Sequence, residues 1–148
     1  MESEEYMRLA LSLARQAARE GEVPVGCVIA DCDGKIIGTG RNRRESGRDA
    51  TAHAEIEAIR AAGAVLGSWR LDGCTIYVTL EPCPMCAGAI INARIPCVVF
   101  AAKDAVSGAC GSVIDLFFER FSHGPRVSCG LLGDESASLL RDFFAELR

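Results

Sequence analysis

Apolar residues recur along this chain with two spacings, one typical of amphipathic helices and the other of buried strands. Near the N-terminus they fall every three or four residues after several acidic side chains, which predicts a helix that ends at Gly21. Residues 23–30 are almost continuously apolar and rich in Val and Ile, which predicts a buried strand. A turn at 31–34 and a second strand at 35–39 complete a predicted hairpin.

The rest of the chain alternates predicted helices with predicted strands. We expect helices at 52–64, from Pro84 to about 93, at 113–118 and at 134–147, with Thr51 and Asp134 as caps of the first and last. We expect strands at 75–80, 96–101 and 126–131, and a Gly- and Ser-rich loop at 107–112. This alternation predicts an α/β fold in which helices cover both faces of one sheet.

The length and composition of the chain are those of an ordinary globular protein. We expect its 148 residues to form one domain, residues 1–148. A chain of this length buries roughly 68–70% of its unfolded surface, so its core needs no disulfides. No apolar run reaches the ~18 residues of a transmembrane helix. The acidic N-terminus does not resemble a secretory signal, so we expect a cytoplasmic protein without a membrane partner.

The charge balance of the chain is acidic, with a formal net charge of −4. This argues against a large nucleic-acid surface, because contacts with phosphates need clustered Lys and Arg. One local cluster exists, since Arg41, Arg43, Arg44 and Arg48 fall within eight residues. It is either a basic patch for an anionic partner or a solvated loop.

The chain contains eight cysteines. In a cytosolic protein, paired cysteines indicate metal binding or redox chemistry more often than a disulfide framework. Cys27, Cys97 and Cys129 lie in apolar runs, so we expect them in the core.

Cys83 and Cys86 lie three residues apart at a predicted helix start, so both sulfurs fall on one helix face. The positive end of the helix dipole favours their thiolate forms, and Pro84 suits the first helical position. Alone, this spacing indicates either a redox pair or two zinc ligands. His53, at another predicted helix start, supplies a third ligand type, although a lone histidine there is usually a surface or capping residue.

Glu55 changes the interpretation of these three potential ligands. A structural zinc site fills four positions with protein groups, whereas a catalytic site leaves one open for water. Residues i and i+2 of a helix do not face the same way, so we do not expect Glu55 to be a fourth ligand. It is either a proton carrier beside that water or an exposed acid in a first helical turn. The combination favours hydrolysis at an sp² carbon that bears an amino group.

The segments His53-Ala54-Glu55 and Pro82-Cys83-Pro84-Met85-Cys86 match the H-x-E…P-C-x-x-C pattern of the zinc-dependent nucleoside and nucleobase deaminases, whose residue roles are established for the class. Flanking segments at 22–26, 51–56, 77–83, 85–89 and 108–112 resemble the bacterial tRNA-specific adenosine deaminases within that family. The resemblance covers about residues 6–144. The segment 122–126 departs from the family pattern.

The resemblance implies a fold, a reaction and a site. The fold would be the three-layer α/β/α cytidine-deaminase-like fold, with a mixed five-stranded sheet and helices on both faces. The reaction would be hydrolytic deamination of the wobble adenosine of a tRNA anticodon to inosine, in a homodimer with active sites near the interface. His53, Cys83 and Cys86 would bind one zinc ion per subunit, and Glu55 would carry protons.

The resemblance also implies contacts with the substrate. Asn42 would hydrogen-bond the purine base together with the backbone N–H of Ala54, although Asn42 is equally compatible with a turn residue. Lys103 and Asp104 would approach the nucleotides around the target, or they form a solvated loop with a helix cap. Further RNA contacts are expected from Arg43 and Arg44 in the arginine-rich loop.

Two other functions share the same zinc site. One is deamination of a free base or nucleoside, such as guanine or cytosine, which an acidic protein would suit. The other is a non-catalytic RNA- or partner-binding subunit with structural zinc. Glu55 argues against the second, because a structural site needs no proton carrier.

Overall fold

The computed structural model describes residues 1–147, and within them it contains four α-helices and five β-strands. The helices are α1 (Ser3–Arg19), α2 (Ala54–Leu66), α3 (Pro84–Asn92) and α4 (Gly133–Glu146), with a short 3-10 helix at Leu116–Phe118. The strands are β1 (Gly26–Ala30), β2 (Ile36–Arg41), β3 (Thr75–Leu80), β4 (Cys97–Ala102) and β5 (Arg126–Cys129). The predicted alternation of helices and strands is confirmed.

The five strands form one mixed sheet in the order β2-β1-β3-β4-β5. β1 is antiparallel to both β2 and β3, while β3, β4 and β5 run parallel to one another. Gly26 pairs with Arg41, and Leu80 pairs with Ala102. The start of β1 and the ends of β2, β3 and β4 therefore meet at one edge of the sheet, where ligands bind in such folds.

Helices cover both faces of this sheet, as expected. α1 and α4 lie on one face, over a core that includes Tyr6, Met7, Val28 and Ala101. α2 and α3 lie on the other face, and their buried residues pack against alternate residues of the same strands, such as Ile29. The strands are buried from both sides because their side chains alternate between the two cores, which gives the α/β/α layers.

Glycines allow α2 to lie directly on the sheet. A Cβ atom at Gly40 would fall 2.2 Å from the carbonyl oxygen of Ala54, and one at Gly38 would fall 2.4 Å from that of Ala58. The helix presents only small, fully buried side chains here, Ala54, Ala58 and Ala62. The first turn of α2 is therefore held at a fixed distance from β2.

Both predicted helix caps are wrong. The N-cap of α2 is His53, and the hydroxyl of Thr51 instead donates to Asp49 at 2.7 Å. α4 begins at Gly133 with Leu132 as its N-cap, two residues before Asp134. Ser, Thr and Asp hydrogen-bond in tight turns as well as at caps, so composition alone could not separate the two roles.

The last third of the fold differs from the prediction in burial and extent. The predicted helix at 113–118 is reduced to the 3-10 helix at its end, and β5 is two residues shorter than expected. Cys27 is buried as expected, but Cys97 is only partly buried and Cys129 is exposed, because β5 is an edge strand without a covered face. No helix within residues 1–147 has the length and apolarity to cross a membrane.

Candidate active site

A cavity of about 470 Å³ opens at the sheet edge where β2, β3 and β4 end. Its volume falls within the roughly 300–1,000 Å³ typical of small-molecule sites. The segments that line it follow those strand ends, precede β1 or begin α2 and α3. Leu140 and Phe144 of α4 also line the cavity. Phe144 is 45% exposed, so it borders the cavity instead of being enclosed in the core.

Two helix starts bring three metal-ligand side chains together in the cavity floor. His53 is the N-cap of α2 and Cys83 is the N-cap of α3, and neither side chain is used to cap its helix. The Nδ1 atom of His53 lies 3.6 Å from the sulfur of Cys83 and 3.5 Å from that of Cys86. The three donor atoms all lie within 4.8 Å of one another.

The charges of the two thiols are unequal. The Cys86 thiol and then the His53 ring hydrogen-bond to the Cys83 sulfur and lower the pKa of Cys83 to about 4, although its burial opposes this. The same Cys83 contact, together with burial, raises the pKa of Cys86. Contact with Cys83 also raises the pKa of His53. The site therefore concentrates negative charge on sulfur beside an imidazole, the environment that a cation would neutralise.

The chemistry of this donor set fits zinc. One imidazole nitrogen and two thiolates are ligands that zinc prefers. Within residues 1–147, the cluster comprises these three side chains and does not include Glu55. Three protein ligands with a cavity above them match a catalytic site better than a closed structural one.

Glu55 lies in the first turn of α2, lines the cavity and is only 3% exposed. Burial raises the pKa of its carboxyl to about 7, and the charge of Cys83 adds to this effect. The interpretation of Glu55 as an ordinary exposed acid is wrong, because the sheet and α2 enclose it. A buried carboxylate beside the donor cluster has the placement of a proton carrier.

Asn42 and Ala54 lie on the cavity wall, as the expected contacts with a base require. Asn42 follows β2 and is 6% exposed; its Nδ2 atom donates to the carbonyl oxygen of Val23 at 3.3 Å. Its buried Oδ1 atom accepts no hydrogen bond from residues 1–147. Ala54 is the first residue of α2, where backbone N–H groups have no partner within the helix. The wall thus presents an acceptor and a donor.

The structure separates the four expected RNA-contact residues. Arg44, Lys103 and Asp104 line the cavity, whereas Arg43 is exposed on the same loop outside it. The side chain of Asp104 accepts the backbone N–H groups of Val106 and Ser107 at 3.0 and 3.1 Å. Its carboxylate therefore shapes its own turn at the cavity mouth.

Two buried carboxylates near the cavity were missed by the sequence analysis. Glu22 is 1% exposed and accepts the N–H groups of Glu45 at 3.0 Å and Ser46 at 2.7 Å. Burial alone would raise its pKa, but these hydrogen bonds outweigh it and lower the pKa of Glu22 below its ordinary value. Glu81, 2% exposed, is held low in pKa by Ser112 and backbone N–H groups in the same way, against its burial. The sequence signal for both residues was an acidic side chain directly beside an apolar segment, before residues 23–30 for Glu22 and after β3 for Glu81.

The chain is similar to known deaminases over almost its whole length. A family model described as the cytidine and deoxycytidylate deaminase zinc-binding region matches residues 1–102. A tRNA-specific adenosine deaminase of Bacillus subtilis is 45% identical over 148 residues, which cover 99% of this chain and 91% of that protein. A tRNA(Ile)-lysidine synthase of Deinococcus deserti is 50% identical over 139 residues, and the chain spans only 26% of it.

Among solved structures, the chain is again similar to deaminases. A structure from studies of tRNA:A34 deaminases, which edit A to I at the wobble position, superimposes with a TM-score of 0.89. It is 45% identical, and the match covers 92% of this chain and 99% of that one. The guanine deaminase of Nitrosomonas europaea superimposes with a TM-score of 0.82 at 30% identity, covering 97% of this chain and 85% of that one.

Proposed function

The chain belongs to the family of cytidine and deoxycytidylate deaminase zinc-binding regions, and we propose that it deaminates the wobble adenosine, position 34, of a tRNA anticodon to inosine. The observation that carries this proposal is the match to a tRNA:A34 deaminase over 92% of this chain and 99% of that one. The Deinococcus deserti relative, although much longer, is also named for an activity on tRNA.

In this function, His53, Cys83 and Cys86 hold zinc, which when bound supplies the Lewis acidity that activates water for attack at C6 of adenine. Glu55 takes a proton from the attacking water on its carboxylate and passes it to the ring nitrogen. The carboxylate then takes the second proton from the oxygen that the water has added and passes it to the leaving amine. Water and the amino group are consumed and ammonia is released, so the base becomes hypoxanthine. The burial of Glu55 supports this role because it excludes competing bulk water.

The base is held by the wall above the donor cluster. The Oδ1 atom of Asn42, which accepts no hydrogen bond from the described residues 1–147, accepts one from the bound nucleoside, and the backbone N–H of Ala54 donates to the base. Asp104 and Lys103 contact the nucleotides around the target, and Arg44 supplies positive charge at the cavity mouth. An anticodon loop suits such a site, because a single-stranded base can be turned into a pocket at modest cost.

The proposal includes a homodimer and a cytoplasmic location. Two large apolar side chains that follow the loop at residues 103–112 in sequence are exposed, Val113 at 54% and Phe118 at 85%. Large apolar side chains exposed so close together in sequence support burial against another protein surface, and a second copy of the chain is the expected partner. A tRNA substrate would be met in the cytoplasm.

A second function, deamination of free guanine, is favoured by one observation. The Nitrosomonas europaea guanine deaminase superimposes with a TM-score of 0.82, so the same fold and metal chemistry serve a free purine. Both functions use the same donor cluster. They differ in the substrate, because the outer wall of the cavity must accept neighbouring nucleotides for a tRNA but only the base for free guanine.

Parallel assays on the purified, zinc-loaded protein test the proposal. One contains an anticodon stem-loop with adenosine at position 34, and the others contain guanine, cytosine or free adenosine. We expect inosine only in the RNA, detected by nuclease digestion and mass spectrometry, and a stem-loop with guanosine at that position as the inert control. Turnover of guanine without RNA editing would replace the proposal with the second function. No turnover of any substrate at full zinc occupancy would indicate a non-catalytic subunit.

A further inference from the structure

Glu81 is a buried carboxylate beside the donor cluster that the proposed reaction does not use. It lies between the end of β3 and Cys83, and it is 2% exposed. A buried carboxylate is costly unless hydrogen bonds satisfy it, so its partners show what it holds. Its side-chain hydrogen bonds within residues 1–147 all come from one segment, the 103–112 loop that follows β4.

The carboxylate joins both ends of this loop. Its Oε1 atom accepts the backbone N–H of Asp104 at 3.0 Å and the hydroxyl of Ser112. Its Oε2 atom accepts the backbone N–H of Cys110 at 3.0 Å and that of Ser112 at 3.1 Å. Hydrogen bonds to an ionised acceptor are roughly twice as strong as neutral ones. Glu81 therefore fixes residues eight positions apart.

Backbone hydrogen bonds also join the loop and the end of β4 to Glu81 and Pro82. The N–H of Glu81 donates to the carbonyl of Ala102 at 2.8 Å, and the N–H of Ala109 donates to that of Pro82 at 2.9 Å. A Cβ atom at Gly108 would lie 2.4 Å from the Cδ atom of Glu81. The loop is wrapped around the carboxylate with no room for a larger residue at Gly108.

The outer half of the loop, residues 103–107, forms one wall of the cavity. We propose that Glu81 is a positioning residue that holds this wall at a fixed place relative to Cys83, and thereby sets the affinity for the nucleotides around the target base. This inference rests on the proposed function, because the wall matters for a polynucleotide substrate. Glu81 also lines the cavity, but both of its carboxylate oxygens accept hydrogen bonds from the loop, and it is not one of the three potential metal ligands.

The variant Glu81→Gln tests the inference with little change in shape. One carboxylate oxygen becomes an NH₂ group, which then faces N–H donors instead of accepting them. We expect KM for the anticodon stem-loop to rise roughly tenfold or more, while kcat stays within about threefold and zinc content stays at one ion per chain. Ile95→Val, a change at a fully buried core residue that makes none of the hydrogen bonds to Glu81, is the control for lost stability and should leave KM unchanged.

A milder variant and a substrate-free measurement guard against misfolding. Ser112→Ala removes one of the two donors to Oε1 and should raise KM only about two- to fivefold. Hydrogen–deuterium exchange should show faster exchange of the amides at 104–112 in Glu81→Gln, with unchanged exchange in β3. This readout needs neither RNA nor turnover.

The outcomes are separable from those of the proposed function. An unchanged KM, a fall in kcat at constant KM, or loss of zinc in Glu81→Gln would each overturn the positioning role. If the wild type edits no RNA but turns over guanine, the proposed function fails. The exchange data, which need no substrate, then decide whether Glu81 positions the wall, and unchanged protection of the loop in Glu81→Gln rejects that role.

Discussion

Gly40→Ala, a change on β2, should damage the candidate active site by displacing α2, which packs directly on that strand. The new Cβ atom would lie 2.2 Å from the carbonyl oxygen of Ala54 and 2.8 Å from the backbone nitrogen of Ala58. These are main-chain atoms of a helix, so no side chain can rotate to relieve the contact. The first turn of α2, which follows His53 and carries Glu55, must move away from β2.

The size of this movement follows from the geometry. Ordinary contact requires the Cβ···O separation to open by roughly 1 Å, and overpacking of this kind costs about 1–3 kcal/mol of stability. The donor atoms of His53, Cys83 and Cys86 lie within 4.8 Å of one another, and only His53 is attached to the displaced helix. A misplacement of about 1 Å at a reacting centre costs on the order of 100-fold in rate.

Gly38→Ala provides the matched control. Its Cβ atom would lie 2.4 Å from the carbonyl oxygen of Ala58, one turn further along the same helix. We expect both variants to lose about 1–3 kcal/mol in chemical denaturation, but Gly40→Ala to lose much more zinc affinity and kcat/KM on the stem-loop. Equal losses of activity in the two variants, or full activity in Gly40→Ala, would refute the argument that β2 sets the position of the site.

The remaining predictions concern single side chains. Glu55→Gln should keep zinc by elemental analysis yet lose roughly 100-fold or more in kcat, because the proposed proton carrier is gone, whereas Cys86→Ser removes a proposed zinc ligand and should lose zinc and stability together. Arg44→Ala should weaken RNA binding and reduce the slope of log Kd against log salt by about one phosphate contact, more than Arg43→Ala does, because only Arg44 lines the cavity. The pKa of Glu22 is lowered in the fold, so its contribution to stability is present above its ordinary value of 4.5 and is lost as pH falls through the lower folded value. Glu20 opposes this lowering, but the hydrogen bonds from Glu45 and Ser46 outweigh it. Because the ionised form is the stabilising one, Glu22→Gln should lower Tm at neutral pH and flatten its decline below about pH 4.5.

The fold and the donor cluster could be predicted because their signals are local. Continuous apolar strands, helical spacings and turn residues mark the elements, and the pattern around Cys83 and His53 fixes ligand type at two helix starts. The sheet order is less local. The family resemblance implied a mixed five-stranded sheet but not its strand order, since the placement of β1 between β2 and β3 depends on contacts far apart in sequence.

The cavity walls could not be predicted in the same way. Phe144 belongs to an apolar helix face, and only the position of α4 shows that it borders the cavity. Glu81 is one acid among many in the sequence, and its four hydrogen bonds appear only when the loop after β4 folds back on it. The prediction of Thr51 as a helix cap was wrong for a related reason, because its hydroxyl donates to the side chain of Asp49 instead.

The candidate site has two parts, the donor cluster with Glu55 and the walls proposed to contact the substrate, and different elements of the fold form them. The chemical half, with His53, Glu55 and the cysteines, is built from two helix starts held by tight packing on the sheet. The substrate half is built from loops after β2 and β4, which the buried carboxylates Glu22 and Glu81 anchor. Changes in those loops can alter the accepted substrate without moving the donor cluster, which explains how one fold resembles both a tRNA:A34 deaminase and a guanine deaminase. Variants of Gly40 and Glu55 should then affect catalysis on every substrate, whereas variants of Glu81 and Arg44 should discriminate between RNA and a free base.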